Sequence, residues 1–187
     1  KEWELAFLPI DSNEGQSYIR EMQYAVDFAL ANRKLMMDRI KDIFEKEVDA
    51  ECFEPINIAH NYAALEHHFG HDVWVHRKGA TLARVDTIGI IPGSQGTHSY
   101  IVRGKGNPDS FESCSHGAGR KMGRKEACRT LNLEEEKKKL DDQGIIHAIR
   151  HTNDLDEAAG AYKSIDVVMA NQTDLVDVLV ELSPMGV

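Results

Sequence analysis

Only three cysteines occur in the 187 residues, Cys52, Cys114 and Cys128. The odd number and irregular spacing exclude a disulfide framework and point to a reducing compartment, the cytoplasm. No apolar run approaches the ~20 residues needed to cross a bilayer, and the opening Lys1-Glu2-Trp3-Glu4-Leu5 lacks the layout of a signal peptide, so no membrane partner is expected. Internal repeats, linkers and low-complexity tracts are lacking too, and the length suits one domain with a sizeable core. Positive charge is short: 22 Lys and Arg against 31 Asp and Glu leave a net charge of −9, which argues against indiscriminate coating of nucleic acid.

The basic charge that is present is concentrated. Arg120, Lys121, Arg124, Lys125 and Arg129 fall within ten residues, and His76-Arg77-Lys78 makes a second cluster. A solvated helix face would account for such runs. The functional reading is a local phosphate-contacting patch for one nucleic-acid end or a nucleotide. Just before the first cluster stands Ser113-Cys114-Ser115-His116-Gly117-Ala118-Gly119-Arg120. Glycine lets backbone approach a ligand closely. A helix starting near Gly117 or Gly119 would aim free N–H groups at whatever His116 touches. Arg120 and Arg124, four apart, would share its face. These parts suit an anion site with a nucleophile at its mouth, although a histidine in a glycine-rich turn also serves as a plain loop residue or cap.

Elsewhere the chain alternates helix and strand signals. Asp11 and Glu14 have capping-box spacing, and Ile19, Met22, Val26, Ala29, Met36, Ile40 and Phe44 recur at helical intervals, predicting one long amphipathic helix over 15–48 with a core-facing stripe. Residues 63–69 read as a short helix stopped by Gly70. Strands are expected at 72–77, 87–91 and 97–102, with a turn at 92–96, then helix through the basic segment to about Leu131. Asn132 caps a charged helix over 133–142, residues 145–149 suggest a short strand, 154–161 and 164–171 read as helices, and 174–182 as a helix end running into a strand. The expected fold class is α/β (mixed α+β): an irregular mixed sheet with flanking helices, opened by the long helix.

Nine histidines are present, and His60, His67, His68 and His71 fall close together. Neutral imidazole is a common metal ligand. On a helix His67 and His71 would share a face and His68 would not, which argues against a four-histidine zinc site. His60, followed by an Asn61 whose amide could orient it, is the better metal candidate, acting with ligands from elsewhere.

Four stretches taken together are more specific than any alone: Ala59-His60-Asn61-Tyr62, Val75-His76-Arg77-Lys78-Gly79-Ala80, Ile91-Pro92-Gly93-Ser94-Gln95-Gly96-Thr97 and Ser115-His116-Gly117-Ala118-Gly119-Arg120. In this order and spacing they resemble the C-terminal half of the RtcB family of RNA-splicing ligases, as do Ala161-Tyr162-Lys163-Ser164-Ile165-Asp166 and the closing residues 182–187. The resemblance implies that residues 1–187 are the C-terminal part of one catalytic domain. It implies an enzyme that joins an RNA 3′-phosphate, or a 2′,3′-cyclic phosphate, to a 5′-hydroxyl end, with GTP as guanylate donor and two Mn²⁺ in the complete site. His116 then matches the residue that becomes guanylylated. Ser94, Ser99, Gly117, Ala118, Gly119, Arg120, Arg124 and Tyr162 match nucleotide-binding positions, and His60 matches a manganese ligand.

Imidazole is a competent nucleophile at phosphorus, and a phosphoramidate divides one hard displacement into two easier ones. Two departures from the family pattern stand out. Gln95 replaces a typical methionine, and the family's Asp-x-Gly-Cys-Gly, Gly-Asn-His and His-Ser-Gly-Ser-Arg-Gly motifs, which carry the other metal ligands, do not occur in these residues; nor does its terminal lysine. These 187 residues are therefore expected to keep the guanylate-accepting histidine without a proper manganese site. The rival readings are another histidine-dependent phosphoryl-transfer enzyme, with no preference for GTP, and a nucleotide- or RNA-phosphate-binding module that forms no covalent adduct. Which RNA is joined, in tRNA splicing or in repair, and the oligomeric state are not legible.

Overall fold

The structure, a computed structural model, describes residues 6–48 and 50–187. The reading of Lys1 to Leu5 lies outside the described residues. The chain divides into two compact units, Lys1–Lys78 and Gly79–Val187.

The first unit opens with α1 (Asn13–Val48), 36 residues long, close to the expected helix. Its cap is Ser12 rather than Asp11: the Ser12 Oγ accepts the Gly15 N–H at 3.0 Å, leaving no role for an Asp11–Glu14 box. The stripe read as core is only partly covered: Ile19, Met22, Val26 and Ala29 are half-buried, whereas Met36, Ile40 and Phe44 are exposed, at 54%, 44% and 50%. Residues 63–69 are not helix. They belong to β1 (Asn61–His68), which pairs antiparallel with β2 (His71–Lys78) from Asn61↔Lys78 to His68↔His71. The reason is the turn, where Phe69 (φ 52°) and Gly70 (φ 79°) are both left-handed, the type I′ geometry that matches strand twist. Gly70 closes a hairpin, not a helix. Helix α1 meets β1 where Met22 Sδ accepts the Ala63 N–H at 3.1 Å.

The second unit begins with β3 (Ala80–Leu82), which pairs antiparallel with β6 (Ser113–Ser115). Strands β4 (Ile88–Ile91), β5 (Ser99–Gly104) and β7 (Val176–Leu182) form an antiparallel sheet in the order β4-β5-β7, with a register shift between Ile101 and Val102. The mixed α/β class is as expected, the strands among the described residues being spread over three small antiparallel sheets. Inward-facing Ile91, Tyr100, Val102 and Cys114 join Ala118, Ile165 and Val176 in one core. A second core gathers Leu140, Ile145, Ile149, Leu155 and Ala158.

Helices α2 (Arg124–Thr130), α3 (Leu133–Asp141) and α4 (Ile165–Ala170) complete the unit. Asn132 caps α3 as expected, its side chain accepting the Glu134 and Glu135 N–H groups. Residues 145–149 form no strand beyond a single bridge from Ile146 to Gly186. The expected helix at 154–161 is two 3-10 turns, Thr152–Glu157 and Ala159–Ala161. No described helix is long and apolar enough to cross a membrane.

Candidate functional site

His116 follows β6, which ends at Ser115. The Ser115 N–H donates to Gln172 Oε1 at 3.0 Å, and its hydroxyl donates to the Gly117 carbonyl at 2.6 Å, so the chain entering and leaving His116 is held from both sides. His116 is half-buried. Its N–H points to the Gly79 carbonyl at 3.4 Å, and a Cβ placed on Gly79 would lie 4.0 Å from His116 Cε1. Gly79 is left-handed (φ 80°), which a larger residue would resist.

Two further segments close around this loop. The Ala118 N–H donates to the Pro92 carbonyl at 3.0 Å, fixing the turn 92–97 beside Gly117 and Ala118. Within that turn the Ser94 N–H donates to Thr97 Oγ1 at 2.7 Å, and the Gly93 N–H donates to Ser99 Oγ at 3.2 Å. A side chain on Gly93 would collide with the His98 carbonyl and the Thr97 hydroxyl, so the turn requires glycine there. On the other side, the Lys163 N–H donates to the Gly119 carbonyl and the Lys121 N–H to the Ala161 carbonyl, each at 2.9 Å, which sets Arg120 against Tyr162. Gln95, the departure from the family's methionine, leaves its buried Oε1 without a hydrogen-bond partner. It lines a cavity of about 220 Å³ with Gly96, Leu140, Ile149 and Ala158.

No helix starts near Gly117 or Gly119. Gly119 is left-handed (φ 74°), Arg120 sits in a β-bridge, and α2 begins only at Arg124. The two arginines therefore do not share a helix face. They meet instead on Glu157, at the end of the first 3-10 turn, a residue that sequence reasoning missed. Arg120 Nη1 lies 2.9 Å from Glu157 Oε2 and 2.9 Å from the Tyr162 oxygen, and Arg124 Nε lies 2.8 Å from Glu157 Oε1. Tyr162 donates its hydroxyl proton to Glu157 Oε2 in a short contact. The Arg120 guanidinium also stands 4.8 Å from the Tyr162 ring centroid. Burial works against ionisation of Glu157, but the hydrogen bonds from Tyr162 and Arg124 and the charges of Arg120 and Arg124 outweigh it, holding this carboxyl below its ordinary range. Burial, then the hydrogen bond and charge of Glu157, push the Tyr162 phenol up. The only sequence signal for Glu157 was an acidic run, Asp154-Leu155-Asp156-Glu157, shortly before Tyr162.

In the first unit, His60 is exposed in the segment that leads into β1. Because residues 61–68 are strand, His67 and His68 face opposite ways: His67 pairs with Asp72 at 2.8 Å, while His68 is buried against Glu66 at 2.9 Å. His67 and His71 do not share a helix face, since there is no helix. Arg77, read as part of a basic cluster, is 1% exposed and grips Glu66 through two bonds of 2.5 and 2.9 Å. It holds the hairpin together and presents no charge to solvent.

The sequence matches the family described as tRNA-splicing ligase RtcB over residues 1–187. The chain belongs to the RtcB family. It is 40% identical over 186 residues to the RNA-splicing ligase RtcB of Escherichia coli K12, across 96% of this chain and 45% of that protein. It is 35% identical to the tRNA-splicing ligase RtcB of Thermococcus kodakarensis, across 98% of this chain and 44% of that protein. With the RtcB of Methanocaldococcus jannaschii the identity is 36%, across 88% of this chain and 20% of that protein. The chain thus spans less than half the length of each of these relatives.

Proposed function

We propose that this chain is the guanylate-accepting part of an RNA ligase that joins an RNA 3′-phosphate or 2′,3′-cyclic phosphate to a 5′-hydroxyl end, with GTP as donor. Family membership supports the reaction class. The observation that carries the residue assignment is the convergence of three segments, the turn 92–97, the loop 116–120 and the stretch 161–163, on the one exit from β6. It supports the reading in which Ser94, Ser99, Gly117, Ala118, Gly119, Arg120 and Tyr162 act together with His116.

On this reading a ring nitrogen of His116 attacks the α-phosphorus of GTP, the bond from that phosphorus to the bridging oxygen breaks, and pyrophosphate leaves. Charge on the phosphates is met by Arg124 and by backbone N–H groups of the glycine-rich segments. The guanylate then passes to an RNA 3′-phosphate, and attack by the 5′-hydroxyl on that phosphate expels GMP. Contacts to RNA phosphates through Lys121, Arg124 and Lys125 would position the ends without reading sequence.

Manganese, when bound in the family's site, would neutralise charge on the transferred phosphoryl group. Of this chain's residues, His60 would supply one exposed imidazole, and Glu66 and His68, hydrogen-bonded to each other with Glu66 also held by Arg77, would supply a carboxylate and a second imidazole. A reducing, cytoplasmic setting belongs to the same reading, since three irregularly spaced cysteines suit no disulfide framework.

The test is intact-mass spectrometry of the full-length family protein carrying this chain, after incubation with GTP and Mn²⁺. The expected result is one guanylate adduct, mapped by fragmentation to His116, absent with ATP and absent in His116→Ala. Release of inorganic phosphate without nucleotide preference would replace this reading with another phosphoryl transfer. Nucleotide binding without any adduct would replace it with a binding module. The 187 residues alone are expected to label poorly, and robust labelling would show that the family's other motifs are dispensable for this step.

A further inference from the structure

We propose that Glu157 is a positioning residue of the phosphate site, a single carboxylate that orders Arg120, Tyr162 and Arg124 so that the outer edge of Arg124 faces an incoming phosphate. The proposal rests on the reading of the His116 loop as the guanylate site, and it concerns how the anion-binding side of that site is held.

The two arginines are not equivalent. Arg120 is engaged on every nitrogen: Nε donates to the Met122 carbonyl at 3.1 Å, Nη1 to Glu157 and Tyr162 at 2.9 Å each, and Nη2 to the Asp156 carbonyl. It behaves as a strut between the loop after His116 and the 3-10 turn. Arg124 is tied only through Nε, to Glu157 Oε1, with Asp156 Oδ2 more distant at 3.9 Å. Its side chain is 68% exposed, and among the described residues its two Nη nitrogens donate no hydrogen bond. A guanidinium pinned at Nε keeps its end-on pair of N–H groups parallel and open, the arrangement that takes two oxygens of a phosphate at once.

Glu157 makes this division possible because both of its oxygens are used. Oε2 takes Arg120 and Tyr162, and Oε1 takes Arg124. Without the carboxylate, Arg124 would be a mobile surface cation and would have to be ordered anew by each ligand. A glutamine in its place retains the shape but turns one oxygen into a donor, which must then confront either the Arg124 N–H or the pair from Arg120 and Tyr162.

The experiment uses the full-length family protein and two readouts. In the first, alkaline titration followed by ultraviolet absorbance compares wild type with Glu157→Gln; one phenol, that of Tyr162, should move to lower pH in the variant. In the second, the GTP concentration giving half-maximal labelling of His116 should rise about tenfold in Glu157→Gln, while labelling at saturating GTP falls less than threefold. Glu157→Asp, which keeps the charge but is one methylene short of reaching all three partners, should lie between the two. Combining Glu157→Gln with Arg124→Lys should cost little more than Arg124→Lys alone, because the first acts through the second.

An unchanged phenol titration with an unchanged GTP dependence would overturn the proposal, leaving Glu157 as an ordinary surface ion pair. Fully additive losses in the double variant would also overturn it. If wild type forms no adduct at all, the ligase reading fails separately. The phenol titration, and binding of inorganic pyrophosphate to wild type and Glu157→Gln by calorimetry, would still decide the role of Glu157.

Discussion

The two units of this chain are held together by opposite kinds of chemistry. Gly79–Val187 contains two apolar cores, built around Ile91, Val102 and Ile165 and around Leu140 and Leu155. Among the described residues of Lys1–Lys78, polar side chains are buried instead: Arg77, Glu66 and His68 are each less than 10% exposed, and Glu66 bonds to both of the others. Apolar burial is additive and forgiving, and the second unit leaves polar groups such as Glu157 and Arg124 partly open to solvent. A buried ion network tolerates much less, because each partner depends on the next.

The largest effect that would sharpen this contrast is expected from Glu66→Ala. It removes the buried carboxylate that takes both Nη nitrogens of Arg77, and the loss of stability should be about 3–5 kcal/mol, seen as a large fall in denaturant midpoint. Because the pair is shielded from solvent, added salt should change that loss little. Next comes Leu155→Ala at a fully buried position, for which removal of the side chain and the cavity it leaves should cost about 2–5 kcal/mol. A smaller penalty for Glu66→Ala than for Leu155→Ala would break the comparison, since the hairpin would then not depend on its charges. The smallest effect is expected from Asn132→Ala, which strips the cap from α3 and should cost about 1 kcal/mol by thermal or chemical unfolding. If that exposed cap mattered as much as Leu155, the second unit would be governed by its helix ends rather than by its cores.

What could be read from the sequence follows the same division. Helix α1, strands β2, β4 and β5, and α3 with its Asn132 cap were legible because their periods run over several turns or pleats. Strands β3 and β6, three residues each, are too short to carry a period, and both are fixed by pairing with each other. The hairpin at Phe69 and Gly70 was misread because a glycine after an apolar run signals a helix end as readily as a turn, and a phenylalanine at positive φ has no local signature. At 154–161 the helix pattern gives way to two 3-10 turns, and the second packs so closely that a Cβ on Gly160 would approach Leu131 Cδ2 at 2.8 Å and Glu136 Oε1 at 2.9 Å.

The candidate site was legible as a set of motifs but not as an arrangement. His116 and the turn 92–97 stood out by composition, and their adjacency depends on one long-range bond from Ala118 to Pro92. Arg120 and Arg124 were singled out through helix spacing, yet they converge because a carboxylate from another segment draws them together. Glu157 could not be recognised in advance, since its role exists only once residues more than thirty positions apart have met.

The opening helix has a practical consequence for anyone handling this polypeptide in isolation. Thirty-six residues in a helix make a rod roughly 54 Å long, and aromatic and aliphatic groups along it, Tyr24, Phe28 and Ile43 among them, lie open to water. Such a rod is greasy over much of its length, so the isolated polypeptide should clump as its concentration rises, and dilution or a mild detergent should disperse it.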